Sequence, residues 1–197
     1  DVRRHGYFLE LGSTHRAEAS ADISNWFNTQ RFSIEIFIEL VDEAATGLPA
    51  LGVFWQPDDT QNTSLIEFSY NDAWYWGVRD ADGNYAFPNQ SSAATNGDYV
   101  HSILTCNGTN LRFYLNGVLA NNGNLNLGTS DGVNSFSTNP LITASTPGAP
   151  GVGSAQQAFA YVDHVSFRVA LLRIYNRPLS PIEANVLGSD PWLPVRN

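Results

Sequence analysis

The sequence predicts an all-β protein, an antiparallel two-sheet β-sandwich that ends with a short C-terminal helix. Several segments alternate apolar and polar side chains with a period of two, the pattern of half-buried strands. Clusters of Gly, Asn, Asp and Pro separate these segments, and the Asn-Gly and Asp-Gly pairs among them favour tight hairpins. Because 197 residues suit one large sandwich, we expect a single domain over residues 1–197.

The composition excludes several classes of protein. Hydrophobic residues make up 43% of the chain and charged residues 15%, which favours a packed core over disorder. No run approaches about 18 consecutive apolar residues, so no membrane insertion is expected. The net charge is -9 and every basic residue is Arg, without a basic cluster that would attract nucleic acid or an anionic membrane. The single Cys106 excludes an internal disulfide, and the lack of Met leads us to expect a processed or excised segment.

The clearest strand runs from Arg31 to Val41. Its alternation predicts one face in the core and one face in solvent. The core face carries Phe32, Ile34, Ile36, Ile38 and Leu40, and the outer face carries Ser33, Glu35, Phe37 and Glu39.

Turn residues delimit the other predicted strands. These strands are 64–70, 73–79, 85–87, 99–105 and 110–115, with tips at Asn71-Asp72, Asp82-Gly83, Asn107-Gly108 and Asn116-Gly117. The alternation changes phase inside the last strand, which predicts a β-bulge near Leu171-Leu172. Residues 119–139 and 145–157 are rich in Asn, Gly, Ser, Pro and Ala and are predicted to be long surface loops within the domain.

A helix is predicted over residues 180–187. Ser180 is its N-cap, Pro181 its first position, Glu183 completes a capping box, and Gly188 provides the stop. So short a helix needs packing to be stable, and we expect its apolar side chains to dock on the sandwich. Those side chains are Leu179, Ile182, Val186 and Leu187. One more helical turn is predicted within residues 22–28.

The C-terminal residues 172–183, with the sequence LRIYNRPLSPIE, resemble the closing segment of laminin-G-like jelly-roll domains in the concanavalin A-like lectin/glucanase superfamily. Residues 32–38 resemble the early core strand of that family, and residues 101–118 resemble its central hairpin. The three segments occur in the family's order. The resemblance implies a β-sandwich, and it leaves activity open because the superfamily includes lectins, adhesion modules, structural proteins and glycosidases.

Two acidic residues on the predicted outer face raise the question of catalysis. Some glycosidases of the superfamily carry two Glu flanking an Asp on one strand, and Glu35, Phe37 and Glu39 resemble that motif with Phe in place of Asp. On an ideal strand the two Glu lie about 13 Å apart, whereas a retaining pair needs roughly 5–5.5 Å. We therefore assign no catalytic residue.

Metal and cofactor signals are sparse. Residues 80–84, with the sequence DADGN, resemble part of a calcium loop, but Ser91 stands where the loop's final Glu belongs. Ala170 also replaces the Asp that many family members carry in the final strand. No cofactor is predicted with certainty, and a structural calcium held by backbone carbonyls and scattered Asp remains an open alternative.

The predicted binding residues combine carboxylates with aromatic rings. Aromatic side chains stack on the apolar face of a sugar, and carboxylates accept hydrogen bonds from its hydroxyls. We expect Glu35, Phe37, Glu39, Trp74 and Trp76 to contact a glycan or a protein surface, with the rim loops as the alternative location.

The leading functional hypothesis is a non-enzymatic, extracellular or surface-exposed recognition module that binds carbohydrate. The first alternative is a structural component of a surface layer, fibre or virion, part of an oligomer or larger assembly held by protein contacts. The weaker alternative is a glycoside-cleaving enzyme. Glycan binding by the isolated chain separates the first hypothesis from the second, and turnover of polysaccharides tests the third.

Overall fold

A computed structural model describes residues 9–11, 16–18, 28, 30–40, 50–54, 66–70, 73–79, 85–126, 141–144 and 167–193. In these parts of the chain there are thirteen strands and one helix. The strands are β1 (Leu9–Leu11), β2 (Arg16–Glu18), β3 (Arg31–Leu40), β4 (Ala50–Phe54), β5 (Ile66–Tyr70), β6 (Ala73–Arg79), β7 (Tyr85–Ala86), β8 (Asn89–Ser91), β9 (Tyr99–Asn107), β10 (Asn110–Leu115), β11 (Val118–Asn126), β12 (Leu141–Ala144) and β13 (Phe167–Tyr175). The helix, α1, is Pro181–Ser189.

All strand pairs are antiparallel, and they form two layers. The first layer has the order β1-β13-β3-β9-β10-β11, and the second has the order β8-β6-β5-β4-β12-β2 with β7 beside β6. A single pairing of Asn122 with Asn89 joins β11 to β8, so the layers are one sheet that curls over on itself. This is the predicted antiparallel β-sandwich.

The core lies between the two layers. The even-numbered face of β3 is buried there, as the alternation predicts, against Phe68, Trp74 and Trp76 of the second layer. The rings of Phe68 and Phe113 meet edge to face across the core, with centroids 6.2 Å apart. The predicted bulge in β13 is present one residue earlier than expected, as a register shift between Val169 and Leu171.

The helix begins as predicted and ends later. Ser180 and Glu183 form the reciprocal capping box, but the helix continues through Gly188 to Ser189, so Gly188 is not its stop. Gly188 instead lies against the tip of the β10–β11 hairpin, where an added Cβ would overlap the Gly117 backbone. Leu179 and Leu187 are buried as expected, whereas Ile182 and Val186 are 76% and 41% exposed, so the prediction is wrong for these two side chains.

Four predicted regions differ from the structure or lie outside the described residues. Residues 119–126 belong to β11 rather than to a loop, because Leu119 and residues 124–126 pair with β10, and Asn122 pairs with β8. The remainder of 119–139, the segment 145–157, the tip at Asp82-Gly83 and the turn within 22–27 lie outside the described residues.

Candidate functional site

The outer face of β3 is covered rather than exposed. The helix packs on this side of the sheet, in a cluster of Leu179, Ala184 and Leu187 with Ile103 and Tyr114. Beyond the helix, the ring of Trp192 lies edge-on to Phe37, with centroids 6.3 Å apart. The strand is therefore buried on both faces from Phe32 onward, and the prediction of a solvent-exposed outer face is wrong.

Glu35 lies at the centre of this covered face and is fully buried. Its carboxylate accepts hydrogen bonds from His101 Nε2 at 2.9 Å, from Arg173 Nη1 at 3.2 Å and from Tyr175 Oη at 2.5 Å. Because an ionised carboxylate only accepts, His101 Nε2 carries the hydrogen of this contact. We name Glu35, His101, Arg173 and Tyr175 the buried ionic cluster.

The contacts within the buried ionic cluster favour the ionised form of Glu35. Burial raises the pKa of Glu35, but the hydrogen bonds from His101 and Tyr175 and the Arg173 charge outweigh it and leave the pKa lowered. Burial and the hydrogen bond to Glu35 raise the pKa of Tyr175. A carboxyl group held ionised in this way is unsuited to act as the general acid of glycoside cleavage, which needs a raised pKa.

The C-terminal segment closes the buried ionic cluster from above. Arg173 Nη1 also donates to the Pro191 carbonyl at 2.8 Å, which ties the residues after the helix to the sheet. Two buried atoms, His101 Nδ1 and Arg173 Nη2, have no hydrogen-bond partner among the described residues. The cluster thus joins β3, β9, β13 and the residues after the helix around a carboxylate that solvent does not reach.

The other predicted binding residues are also buried, and they lie on opposite sides of the first layer. Phe37 packs between Tyr99, His101 and Trp192, and Glu39 pairs with Arg168 at 3.1 Å. Trp74 and Trp76 point into the core, where Trp74 stacks on Phe68 with centroids 5.2 Å apart.

Trp76 is tied to the opposite layer by a polar contact. Its Nε1 donates to Ser102 Oγ across the core at 2.8 Å. The five predicted residues thus form no common surface. A ligand role for Glu35, Phe37, Glu39, Trp74 and Trp76 stays a prediction.

Within the described ranges, no group of three or more His, Cys, Asp or Glu is placed to hold a metal ion. The calcium-like segment 80–84 lies outside those ranges. A structural calcium therefore stays a prediction.

An open cleft lies at one rim of the sandwich, where the two layers join. We name it the rim cleft, with a volume of about 520 Å³. Its lining is formed by Trp74, Gln90, Ser92, Ala93, Asp98, Tyr99, Val100, Leu115, Asn116, Val118, Leu119 and Asn121. Of the five predicted binding residues, Trp74 belongs to the lining of this cleft.

One wall of the rim cleft comes from the β10–β11 hairpin. Its Asn-Gly turn has φ 50° at Asn116 and 80° at Gly117, the left-handed pair that such tight turns require. Asn116 Oδ1 accepts from the His101 amide at 3.0 Å, which fixes the turn against β9. The next residues, Val118 and Leu119, are 65% and 45% exposed and present apolar surface at the cleft.

The opposite wall comes from β8 and from the turn that leads into β9. Gln90 Oε1 accepts from the Asn121 amide at 2.8 Å and joins the two walls. A register shift in the β10–β11 pairing pushes residues 120–123 out of the ladder toward β8. Apolar side chains and amide groups thereby share one concave surface, the mixture that small polar ligands use.

The curled antiparallel β-sandwich defines the class of protein, and a match to a family model shows the family. Residues 11–185 match a family model of the concanavalin A-like lectin/glucanases superfamily, and the chain belongs to that superfamily. This confirms the resemblance stated from the closing segment, the early strand and the central hairpin. No curated protein matches the chain in sequence.

Solved structures with a similar fold include binding domains of botulinum neurotoxins. The binding domain of botulinum neurotoxin DC in complex with rat synaptotagmin II has a TM-score of 0.64 and 17% identity, over 93% of this chain and 42% of that one. The same domain in complex with SialylT has a TM-score of 0.63 and 16% identity, over 93% and 42%. A botulinum neurotoxin type C structure, described as dependent on two ganglioside molecules for cell entry, gives 0.64 and 17%, again over 93% and 42%.

The chain spans about two fifths of the length of these structures, and at this identity the likeness shows the fold. Among the helices of the described residues, none is long and apolar enough to cross a membrane.

Proposed function

We propose that the chain is a non-enzymatic recognition module, extracellular or surface-exposed, that binds a glycan in the rim cleft. The observation that carries the proposal is the combination of exposed apolar surface at Val118 and Leu119 with the side-chain amide of Asn121 in the lining of one concave site. A sugar ring has an apolar face and a rim of hydroxyls, and it needs both kinds of contact. A cleft of about 520 Å³ is in the usual range for small-molecule sites.

The burial and ion pairing of the two acidic residues on β3 support a non-enzymatic role. Glu35 is buried beneath the C-terminal segment, and Glu39 is paired with Arg168. Neither carboxylate is free to attack or protonate a glycosidic bond. The similar neurotoxin structures, described by ganglioside interaction and by complexes with SialylT and synaptotagmin, support a binding role at the surface of cells.

The test is a glycan array followed by calorimetry with the isolated chain. Leu119→Ser and Asn121→Ala each remove one kind of contact, and each should weaken glycan binding about five- to tenfold, the effect of roughly 1 kcal/mol. Ile182→Ser is the matched control, because Ile182 is also solvent-exposed but lies on α1 outside the cleft. The same titration with calcium and with a chelator tests the predicted structural ion.

Three results would contradict the proposal. Absence of any glycan ligand, together with self-association that Val118→Ser or Ile182→Ser abolishes, would favour the structural, assembly role. Glycan binding that is unaffected by Leu119→Ser and Asn121→Ala would move the site away from the rim cleft. Turnover of an oligosaccharide by the wild-type chain would establish an enzyme.

A further inference from the structure

The described residues that line the rim cleft carry negative charge and no positive charge. Of the described residues that line it, Asp98 is the one with a charged side chain, and none is Arg or His. The chain contains no Lys, and its net charge is -9. The local charge and the long-range field of the protein therefore have the same sign.

Asp98 is fixed in place by its own turn. Its Oδ2 accepts from the Thr95 amide at 2.7 Å, and its amide donates to the Thr95 carbonyl at 3.0 Å. The turn is tied to the end of β3, because the Asp98 carbonyl accepts from the Leu40 amide at 2.9 Å. Gly97 adopts φ 92°, a conformation that other residues rarely adopt, so the turn geometry is specific.

The second carboxylate oxygen of Asp98 is available to a ligand. Among the described residues Oδ1 has no hydrogen-bond partner, while Oδ2 is used by Thr95. A fixed carboxylate accepts hydrogen bonds from hydroxyl groups and repels a second carboxylate or a sulfate. Recognition of an anionic sugar would instead call for Arg or Lys donors, which the described lining lacks.

We infer that the rim cleft selects neutral, hydroxyl-rich glycans and rejects sialylated, sulfated or uronic-acid glycans, and that Asp98 sets this specificity. The inference rests on the proposed glycan-binding function. It gives this cleft a ligand class different from the SialylT and ganglioside ligands named in the descriptions of the neurotoxin structures.

The experiment compares matched ligands on one array. Neutral glycans, lactose among them, are printed beside their sialylated, sulfated or uronic-acid counterparts, and the best pair is titrated by calorimetry. The wild-type chain should prefer the neutral member by at least about tenfold. Asp98→Asn keeps an oxygen for the Thr95 amide, so it should fold normally and reduce this preference to about threefold or less, mainly by improving binding of the anionic member.

Two charge variants serve as a matched comparison. Asn121→Asp adds a second carboxylate inside the cleft and should increase the preference for the neutral ligand. Ile182→Asp adds the same charge on the exposed side of α1 and should leave the ratio unchanged. Equal or tighter binding of the anionic glycan by the wild-type chain, or an unchanged ratio in Asp98→Asn, would overturn the inference while leaving glycan binding intact. Absence of binding to every glycan would overturn the proposed function as well.

Discussion

Replacement of Glu35 by Gln tests whether the buried ionic cluster is structural. The substituted side chain would keep the shape of the original and lose its charge. His101 and Tyr175 donate to different carboxylate oxygens, so the one oxygen of Gln could accept from only one of them. The new amide NH2 would face the other donor, and the part-buried Arg173 would lose the charge of its partner and keep the Pro191 carbonyl. Two hydrogen-bond donors would then face each other, whereas the carboxylate now accepts hydrogen bonds from all three residues.

The expected cost is large because the pair is buried. Loss of one partner of a buried ion pair costs about 3–5 kcal/mol, a large share of the roughly 5–15 kcal/mol that stabilises a typical domain. Glu39→Gln is the matched control on the same strand face. Its partner Arg168 is 39% exposed, so that variant should cost only about 0–1 kcal/mol.

Urea denaturation followed by tryptophan fluorescence measures both variants at pH 7. The pH dependence gives a second readout: because the pKa of folded Glu35 lies below its ordinary value, its contribution is complete above about pH 4.5 and is lost as the pH falls through the folded pKa. Glu35→Gln should remove that acid-dependent loss. If Glu35→Gln fails to fold, Tyr175→Phe removes one donor at a milder cost of about 1.5–3 kcal/mol.

A Glu35→Gln variant as stable as Glu39→Gln would refute this reasoning. Loss of ligand binding without loss of stability would do so too, and would favour the sequence-based prediction that Glu35 contacts the ligand.

Three further experiments test the packing and the helix cap. Gly188→Ala should destabilise the fold by about 1–3 kcal/mol in urea despite the gain of about 1 kcal/mol in helix propensity, because its Cβ would overlap the Gly117 backbone; a stabilised variant would contradict the close approach. Ser180→Ala should cost about 0.5–2 kcal/mol by thermal denaturation through loss of the capping box, and an unchanged melting temperature would show that the cap is dispensable. Trp76→Phe should lower the free energy of unfolding by more than the lost buried area explains, because Ser102 is left without its hydrogen-bond partner in the core. Adding Ser102→Ala to that variant should restore part of the lost stability. Purely additive effects in the double variant would contradict the Trp76–Ser102 hydrogen bond.

The strands of the central layer could be predicted because their signals are local. The alternation in 31–41 and the Asn-Gly tips gave β3, β9 and β10 to within a residue or two. Side-chain period and turn conformation depend on neighbouring residues, which a sequence shows directly. The capping box at Ser180 was found for the same reason.

The elements that were missed depend on distant partners. Residues 119–126 have low strand propensity, yet they pair with β10 and β8, and tertiary pairing overrides propensity. Gly188 was assigned as a helix stop because glycine commonly ends helices, whereas here it allows the helix to approach the hairpin.

The placement of the functional site depends on what covers each face of the sheet. Glu35 is bonded by His101 and Arg173, which are 66 and 138 residues away in the chain. Phe37 between two acidic residues was compatible with either a ligand or a covering segment, and the local pattern did not show which elements cover this face. With the inner face of the first layer in the core and its central outer face beneath α1 and Trp192, that layer has little area left for a ligand near β3. The hairpin tip and the turn before β9 remain exposed, and the rim cleft lies between them. The same C-terminal segment that closes the fold therefore moves the candidate site from the sheet to the rim.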